Sequence, residues 1–493
     1  MSTLPIAIIG AGPVGLAAAA HLLGRGLTPL VLEAGPRVGH AVRQWAHVHM
    51  FSPWGFTIDR AARALLEASG WTAPPAGEVP TGGDLVTRYL EPLAALPAVA
   101  PHLRFSTRVV AVGRKDFDKV KSAGRDAQPF VLQVESRDGS RSSIEAAAVI
   151  DASGTWPTPN PIGSGGLAVP GEAACSDRIA HGIPDVLGAE RATYRDKTVM
   201  VVGAGHSALN ALLELTELQE SAPATRILWV TRRDQVESAF GGGEADALPA
   251  RGALGTRARQ AVADGRIEVL SPFRVSALSR RADGRIAVKG TLRDHQVSVE
   301  ADRLIVATGF RPDFDLLREI RLDLDPWLES TRALGPLIDP NLHSCGTVRP
   351  HGAGELAHPE KDFYIAGMKS YGRAPTFLLA TGHEQVRSIA ASMAGDQEAA
   401  ARVELELPET GVCHSTPNVG KALADEEATA GCCGGPAPAE ADACCVADVE
   451  AKAAGEEGCG CAEPAPVEVA PVAVAVKPRV KIPAGSSGCC GAD

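Results

Sequence analysis

A glycine fingerprint near the amino terminus constrains the fold of this chain more than any other feature. Gly10, Gly12 and Gly15 follow the apolar run Ile6–Ile9 and precede an alanine-rich helical stretch. In a strand–turn–helix unit these glycines make the turn, admit a pyrophosphate and let helix and strand touch. Glu33 ends the second apolar run, where a carboxylate accepts hydrogen bonds from ribose. This first fingerprint predicts a dinucleotide site, with a purely structural glycine turn as the alternative.

The fingerprint occurs a second time, with alanine at its third position. Gly203 and Gly205 follow another apolar run, and Ser207 opens the helical stretch after them. The next strand ends in Arg232 and Arg233 rather than in an acid. Guanidinium groups pair with a 2′-phosphate, which a carboxylate would repel. This second fingerprint therefore predicts an NADPH site, and the alternative is two solvated surface arginines.

The order of these motifs predicts an α/β fold with two doubly wound, Rossmann-like domains, one inserted in the other. Residues 1–190 form the first part of the outer domain, and residues 301–405 form its second part. Residues 191–300 form the inserted domain. Residues 406–493 form a tail of different composition.

Two further segments run from an apolar strand into a turn of small residues. They are Val149–Thr155 and Leu304–Phe310, the second of which contains Gly309. With the two fingerprints in this order, residues 4–395 resemble the flavoproteins that have two dinucleotide-binding domains. In that family such turns mark the crossings between the FAD and NADPH domains. The resemblance implies FAD at the first fingerprint and NADPH at the second.

Within that group, the sequence from Asp151 to Pro157 and the Gly203–Ser207 turn look most like flavin-containing monooxygenases. The fingerprint F-x-G-x-x-x-H-x-x-x-F/Y of those enzymes matches only at His181. We interpret His181 as a catalytic candidate that contacts flavin or NADPH, with an ordinary loop histidine as the alternative. Only Cys175 and Cys345 lie before residue 406, which excludes the paired-cysteine relays of thioredoxin and glutathione reductases.

The segment Asp362–Arg387 is expected to form a strand, a turn at Gly367 and a helix whose amino terminus lies against the flavin ring. Relatives carry a Gly-Asp pair at this turn that binds the ribityl chain, whereas methionine follows Gly367 here. Lys369 or Ser370 is expected to supply that contact. This stretch resembles predicted flavin-binding monooxygenases that are associated with arsenic resistance.

Cys345 is the second catalytic candidate, because His343 lies two residues before it. A thiolate near flavin would be a reactive centre. The alternative is a small buried hydrophobic residue.

The tail has no Phe, Trp or Tyr and is rich in Ala, Pro, Gly, Glu and Cys, a composition that predicts disorder. It holds nine of the eleven cysteines. Closely spaced thiols bind soft metal or metalloid ions. The predicted ligands are Cys432, Cys433, Cys444, Cys445, Cys459, Cys461, Cys489 and Cys490. The alternatives are an inert extension and thiol exchange with the flavin.

Charge argues against several classes of partner. The net charge of −11 comes mostly from residues 406–493, where 14 acidic and 5 basic residues give −9. The nearly neutral remainder offers no basic field for nucleic acid or anionic lipid. No apolar stretch approaches the length of a membrane span. We expect a cytoplasmic protein whose partners are a small-molecule substrate and a soft ion on the tail, and the oligomeric state has no signal in the sequence.

Three functions follow from these observations. The first is NADPH-dependent flavin monooxygenation of a small, soft substrate such as a thiol or an arsenical. The second is an NADPH-dependent disulfide or metal(loid) reductase that uses the tail thiols. The third is a metal(loid) buffer or sensor in which FAD is structural.

Overall fold

Two five-stranded parallel sheets organise the chain in a computed structural model that describes residues 4–241, 249–343, 348–375 and 377–405. The order of the first sheet is β16-β7-β1-β2-β3. Its strands are β1 (Ile6–Ile9), β2 (Pro29–Leu32), β3 (Leu103–Arg104), β7 (Ala148–Asp151) and β16 (Phe363–Ile365). All neighbours in this sheet are parallel, as expected for a doubly wound fold.

The second sheet has the order β11-β10-β9-β15-β8 and is also parallel throughout. Its strands are β8 (Ile179–His181), β9 (Thr198–Val202), β10 (Arg226–Val230), β11 (Glu268–Leu270) and β15 (Arg303–Val306). β8 and β15 lie on either side of the expected range 191–300. The second sheet therefore takes strands from sequence that we had placed in the outer domain.

Each parallel sheet is accompanied by an antiparallel sheet of three strands. The strands of the first are β4 (Thr107–Arg114), β5 (Phe130–Ser136) and β6 (Arg141–Ala146). The strands of the second are β12 (Phe273–Arg280), β13 (Ile286–Leu292) and β14 (His295–Ala301). β4–β6 connect β3 to β7, and β12–β14 connect β11 to β15, so the two halves of the chain repeat one plan.

The helices lie between the strands. They are α1 (Pro13–Gly24), α2 (His40–Arg43), α3 (Trp54–Thr57), α4 (Arg60–Ala68), α5 (Gly82–Asp84), α6 (Glu91–Ala95), α7 (Arg191–Tyr194), α8 (His206–Ser221), α9 (Pro249–Ala263), α10 (Gly335–Ile338), α11 (Leu379–Met393) and α12 (Gln397–Ala401). In the described part of the chain, no helix is long and apolar enough to cross a membrane.

Helix α1 shows how sequence positions the first turn. It begins at Pro13, a position where the missing backbone N–H of proline costs no helical hydrogen bond. The alanines that follow are almost fully buried, so their small side chains let α1 approach β1 and α11 closely. The amino terminus of α1 is thereby fixed directly after the carboxyl end of β1.

Two connections join the parallel sheets. The first crossing, residues 152–178, leads from β7 to β8, and the second crossing, residues 307–362, leads from β15 to β16. Their starts are bound to each other, because the Asn160 side-chain amide donates to the Thr308 carbonyl at 3.0 Å. Each crossing leaves its sheet directly beside one of the two fingerprints.

Candidate functional site

The three glycines of the first fingerprint occupy three different environments. Gly10 has φ +101°, and a Cβ there would lie 2.8 Å from the carbonyl oxygen of Ala152 in the first crossing. At Gly12 an added Cβ would meet nothing within 4 Å. At Gly15 it would lie 2.0 Å from the carbonyl oxygen of Gly10. The turn is therefore tight at its first and third glycines and open at the second, as a pyrophosphate site requires.

Glu33 follows β2 and reaches this turn. One carboxylate oxygen accepts from the Ala11 backbone N–H and the other from the Gly35 N–H, both at 2.7 Å. Each oxygen retains a lone pair for a further donor such as a ribose hydroxyl. The carboxylate thus lies where the sequence predicts, beside the open glycine.

A cavity of about 410 Å³ begins one residue beyond Glu33. Its lining residues are Ala34, Pro36, Ser106, Arg108, Glu135, Ser136 and Arg137. The volume lies in the range of small-molecule sites. The open turn and the carboxylate fit the pyrophosphate and the ribose of an adenine dinucleotide such as FAD, and the cavity follows them directly along the chain.

The second fingerprint repeats this geometry. Gly203 has φ +138°, and a Cβ there would lie 2.3 Å from the carbonyl oxygen of Ala307 in the second crossing. At Gly205 an added Cβ would meet nothing within 4 Å. The Trp229 indole donates to the Gly203 carbonyl at 2.7 Å, and Ser207 lies in the first turn of α8. This turn is likewise open at its second glycine.

Arg232 and Arg233 directly follow β10, beside this turn. The Arg232 guanidinium is exposed and donates to the Ser164 carbonyl at 3.0 Å, and that of Arg233 donates to the Ser238 hydroxyl at 2.9 Å. Among the described residues no carboxylate pairs with either guanidinium. Desolvation, together with the positive charge of Arg232, holds the pKa of Arg233 below its ordinary value. Two adjacent, unneutralised cations are suited to a phosphate.

Aromatic side chains connect the starts of the two crossings. The rings of Trp156 and Phe310 stack with centroids 4.8 Å apart, and the Trp156 indole donates to the Gln44 side chain at 2.9 Å. Gly309, the residue before Phe310, has φ +88°. The pair was not predicted, although Trp156 belongs to the motif that carried the resemblance.

His181 ends β8 and is exposed at the edge of the second sheet. A Cβ on the next residue, Gly182, would lie 3.2 Å from Trp156, so the chain directly after His181 packs against the aromatic pair. Desolvation lowers the pKa of His181 more than nearby Glu172 raises it, which favours a neutral imidazole at pH 7. The structure thus places His181 near the crossings, and its catalytic role stays a prediction.

The turn after β16 differs from the expectation. Gly367 has φ +74°, and its N–H donates to the Gln385 side chain at 2.7 Å. Lys369 is buried, and its ammonium lies 2.7 Å from a carboxylate oxygen of Asp151. The Ser370 hydroxyl donates to the Gly367 carbonyl. Both side chains that we expected to contact the ribityl chain are therefore engaged within the protein, because a buried lysine requires a counter-charge.

Helix α11 follows this turn as the sequence predicts. A Cβ on its Gly382 would lie 2.7 Å from the side chain of Val14, so α11 packs tightly against the start of α1. No described side chain caps the first turn of α11. The Thr381 N–H donates to the Leu378 carbonyl at 3.0 Å, whereas the N–H groups of Leu379 and Ala380 have no hydrogen-bond partner among the described residues and are available to an acceptor on a bound ligand.

The remaining candidates are cysteines. Cys345 and the eight tail cysteines predicted as metal ligands lie outside the described residues. Cys175 is fully buried in the core beneath the second sheet and takes no part in the site.

Comparison with known proteins identifies the family. The family model of the pyridine nucleotide-disulphide oxidoreductases matches residues 7–334, which include both fingerprints. The chain belongs to this family. It is a FAD-dependent oxidoreductase that uses a pyridine nucleotide, consistent with the two open turns. The family name refers to disulfides, yet residues 1–405 of this pyridine nucleotide-disulphide oxidoreductase contain only two, widely separated cysteines.

Relatives of this oxidoreductase fall into two groups. A flavin-containing monooxygenase of Arabidopsis thaliana, FMO GS-OX-like 2, is 24% identical over 237 residues, 43% of this chain and 47% of that protein. The chain thus spans about half the length of this curated relative. The bacillithiol disulfide reductase of Bacillus cereus is 20% identical with a TM-score of 0.60, over 80% of this chain and 99% of that one. The FAD-bound cadaverine monooxygenase of desferrioxamine biosynthesis from Erwinia amylovora is 15% identical with a TM-score of 0.55, over 85% and 99%.

Proposed function

We propose that this oxidoreductase is an NADPH-dependent flavin monooxygenase that acts on a small, soft substrate, a thiol or an arsenical. The observation that carries the proposal is the arrangement of the two open turns. Gly10 contacts the start of one crossing and Gly203 the start of the other, and the two crossings are bonded to each other. A hydride donor and a hydride acceptor bound at these turns would thereby be attached to one linked pair of segments.

The choice of NADPH rests on Arg232 and Arg233. A bound 2′-phosphate would replace the Ser164 carbonyl and the Ser238 hydroxyl as their partners, exchanging neutral hydrogen bonds for charge-assisted ones. NADH offers a neutral hydroxyl at this position. The arginines are therefore expected to discriminate between the two nucleotides.

When bound, FAD supplies the hydride acceptor and the reaction with oxygen. The protein orients the cofactor through the first turn and Glu33, and the first turn of α11 offers N–H groups that stabilise negative charge. His181, neutral and beside the aromatic pair, is a candidate to exchange a proton with the substrate.

Monooxygenation is favoured because residues 1–405 offer no cysteine pair that could carry electrons from flavin to a disulfide. Oxygen then remains as the acceptor for reduced flavin. The soft character of the substrate rests on the resemblance of Asp362–Arg387 to monooxygenases associated with arsenic resistance.

The test is isotopic. The full-length protein is incubated with NADPH and ¹⁸O₂ in the presence of a small thiol or a trivalent arsenical, with NADH as the matched nucleotide. The proposal predicts one ¹⁸O atom in the product per NADPH oxidised, and much slower turnover with NADH. Product without the label, or NADPH oxidation that yields only hydrogen peroxide with every substrate, would contradict it.

The nine tail cysteines favour a second candidate, a disulfide or metal(loid) reductase in which tail thiols carry the electrons. Removing residues 406–493 distinguishes the two functions. A reductase loses NADPH-dependent reduction of its acceptor but keeps flavin reduction by NADPH, whereas the monooxygenase retains labelled product.

A further inference from the structure

A buried ion pair lies at the end of β7, the strand next to the one that leads into the first fingerprint. The Lys369 ammonium is 2.7 Å from a carboxylate oxygen of Asp151, and their side chains are 1% and 0% exposed. The second carboxylate oxygen accepts from the Ser153 backbone N–H at 3.0 Å, and the ammonium contacts the exposed Ser153 hydroxyl at 3.2 Å. The pair joins the end of β7 to the turn after β16.

Asp151 lies close to the phosphate-binding turn. It is paired in register with Ile9, the residue before Gly10. The two residues after this strand, Ala152 and Ser153, are those that a Cβ on Gly10 would contact. Asp151 therefore ends the strand that lies next to the turn that is to hold a pyrophosphate.

The second fingerprint provides an internal control. There Val202 precedes Gly203 and is paired in register with Val306. Val306 thus occupies the position that Asp151 occupies in the first sheet, and the residue after it, Ala307, makes the matching close approach to glycine. This position carries no acid at the second site, which shows that the fold of the turn does not require one.

A dinucleotide pyrophosphate carries two negative charges, and an unpaired carboxylate beside it in a low-dielectric site would oppose binding. Glu33 already adds one carboxylate at the rim of this turn. Without Lys369, Asp151 would be a second carboxylate near the two phosphates, with no positive charge to balance it.

We propose that Lys369 is a positioning residue for FAD that acts by neutralising Asp151, so that the Ala152–Gly154 turn can lie against the pyrophosphate. The proposal rests on the assignment of FAD to the first fingerprint. Met368 stands where relatives carry the aspartate that binds the ribityl chain, and the lysine after it is turned inward instead. Lys369 therefore acts through Asp151 rather than by touching flavin.

The experiment measures the affinity of the deflavinated full-length chain for FAD and for riboflavin, which lacks the phosphates. Lys369→Met is expected to weaken FAD binding roughly ten-fold or more, with a much smaller effect on riboflavin. The double variant Asp151→Asn with Lys369→Met removes both charges and is expected to restore FAD affinity to within a few-fold of wild type. Lys289→Met, an exposed lysine on β13, is the matched control and leaves both affinities unchanged.

Two outcomes overturn the proposal: equal loss of FAD and riboflavin in Lys369→Met, or no recovery in the double variant. If Lys369→Met does not fold, Asp151→Asn and the double variant decide. Both should bind FAD about as tightly as wild type. A loss of affinity for FAD but not for riboflavin in either variant would contradict the proposal. A wild-type chain that binds no FAD would overturn the proposed function instead.

Discussion

The two nucleotide turns share a backbone plan and differ in the side chains around it. In both, the first glycine has positive φ and contacts a crossing, and the second faces open space. The first turn lies beside Glu33 and the strand end that carries the Asp151–Lys369 pair, whereas the second lies beside Val306 and two arginines that pair with no carboxylate among the described residues. The glycines are thus alike at the two turns, and we propose that the ends of the neighbouring strands determine which dinucleotide binds at each.

The largest expected effect comes from placing a side chain at the second glycine of each turn, where the structure has open space. Gly12 and Gly205 both have extended backbone conformations that any residue adopts, and both face open space. Gly12→Val should therefore fold normally but lose FAD, and Gly205→Val should retain FAD but lose reduction by NADPH. Flavin absorbance of the purified proteins and their melting temperatures check this. Loss of FAD from Gly205→Val would show that the two turns are not independent.

The next effect is on nucleotide choice. Removing both guanidiniums with Arg232→Ala and Arg233→Ala should raise the KM for NADPH roughly a hundred-fold, because each charge-assisted hydrogen bond contributes about 1.5–3 kcal/mol. The KM for NADH should change little, since NADH has no phosphate there. Steady-state kinetics with both nucleotides provide the measurement, and an equal loss with both would mean that the arginines only support the fold.

The domain built on the second parallel sheet is expected to lose stability as the pH rises. Burial, with Asp185 and Glu217 nearby, raises the pKa of Glu214 on α8 to about 7. The pKa of Glu214 is higher in the folded than in the unfolded chain, so folding is favoured most while the carboxyl is protonated. The contribution of Glu214 to stability is complete below about pH 4.5 and is lost as the pH rises through 7. Glu214→Gln should therefore gain roughly 3 kcal/mol over wild type at pH 8 and less than about 1 kcal/mol at pH 5. Denaturant unfolding at the two pH values measures this difference.

Glu360, which is bonded to Arg114 beside the first antiparallel sheet, provides the control for that pH dependence. Burial raises the pKa of Glu360, but hydrogen bonds from Arg125 and Arg114 outweigh it and hold the pKa below its ordinary value. The stability from this carboxylate is present above about pH 4.5 and is lost only as the pH falls further. Glu360→Gln should cost roughly 3–5 kcal/mol at both pH 5.5 and pH 8. A cost that changes strongly between them would contradict the assignment.

The smallest effect concerns the crossings. Gln44→Ala removes the exposed hydrogen bond to the Trp156 indole and leaves the stack on Phe310 in place. We expect a loss of about 0.5 kcal/mol in unfolding free energy and no change in the KM for NADPH. A large rise in that KM would mean that this bond controls how the two sites are aligned.

Short sequence patterns predict the two glycine turns and the elements next to them. The turns at Gly10 and Gly203, the position of Glu33 and the helix after Gly367 follow from short segments whose glycine spacing and apolar runs are readable. The sequence did not reveal that β8 and β15 join the second sheet, because parallel pairing is set by residues more than a hundred positions apart. The partner of Lys369 was missed for the same reason, since Asp151 lies 218 residues earlier.

The most direct test of the paired-site account is an anaerobic titration of the full-length, FAD-loaded protein with NADPH and, separately, with NADH, while flavin absorbance is recorded. We expect NADPH to bleach the flavin at low concentration, and NADH to require a concentration roughly a hundred-fold higher. Flavin that NADPH fails to bleach, or that both nucleotides reduce equally well, would contradict it.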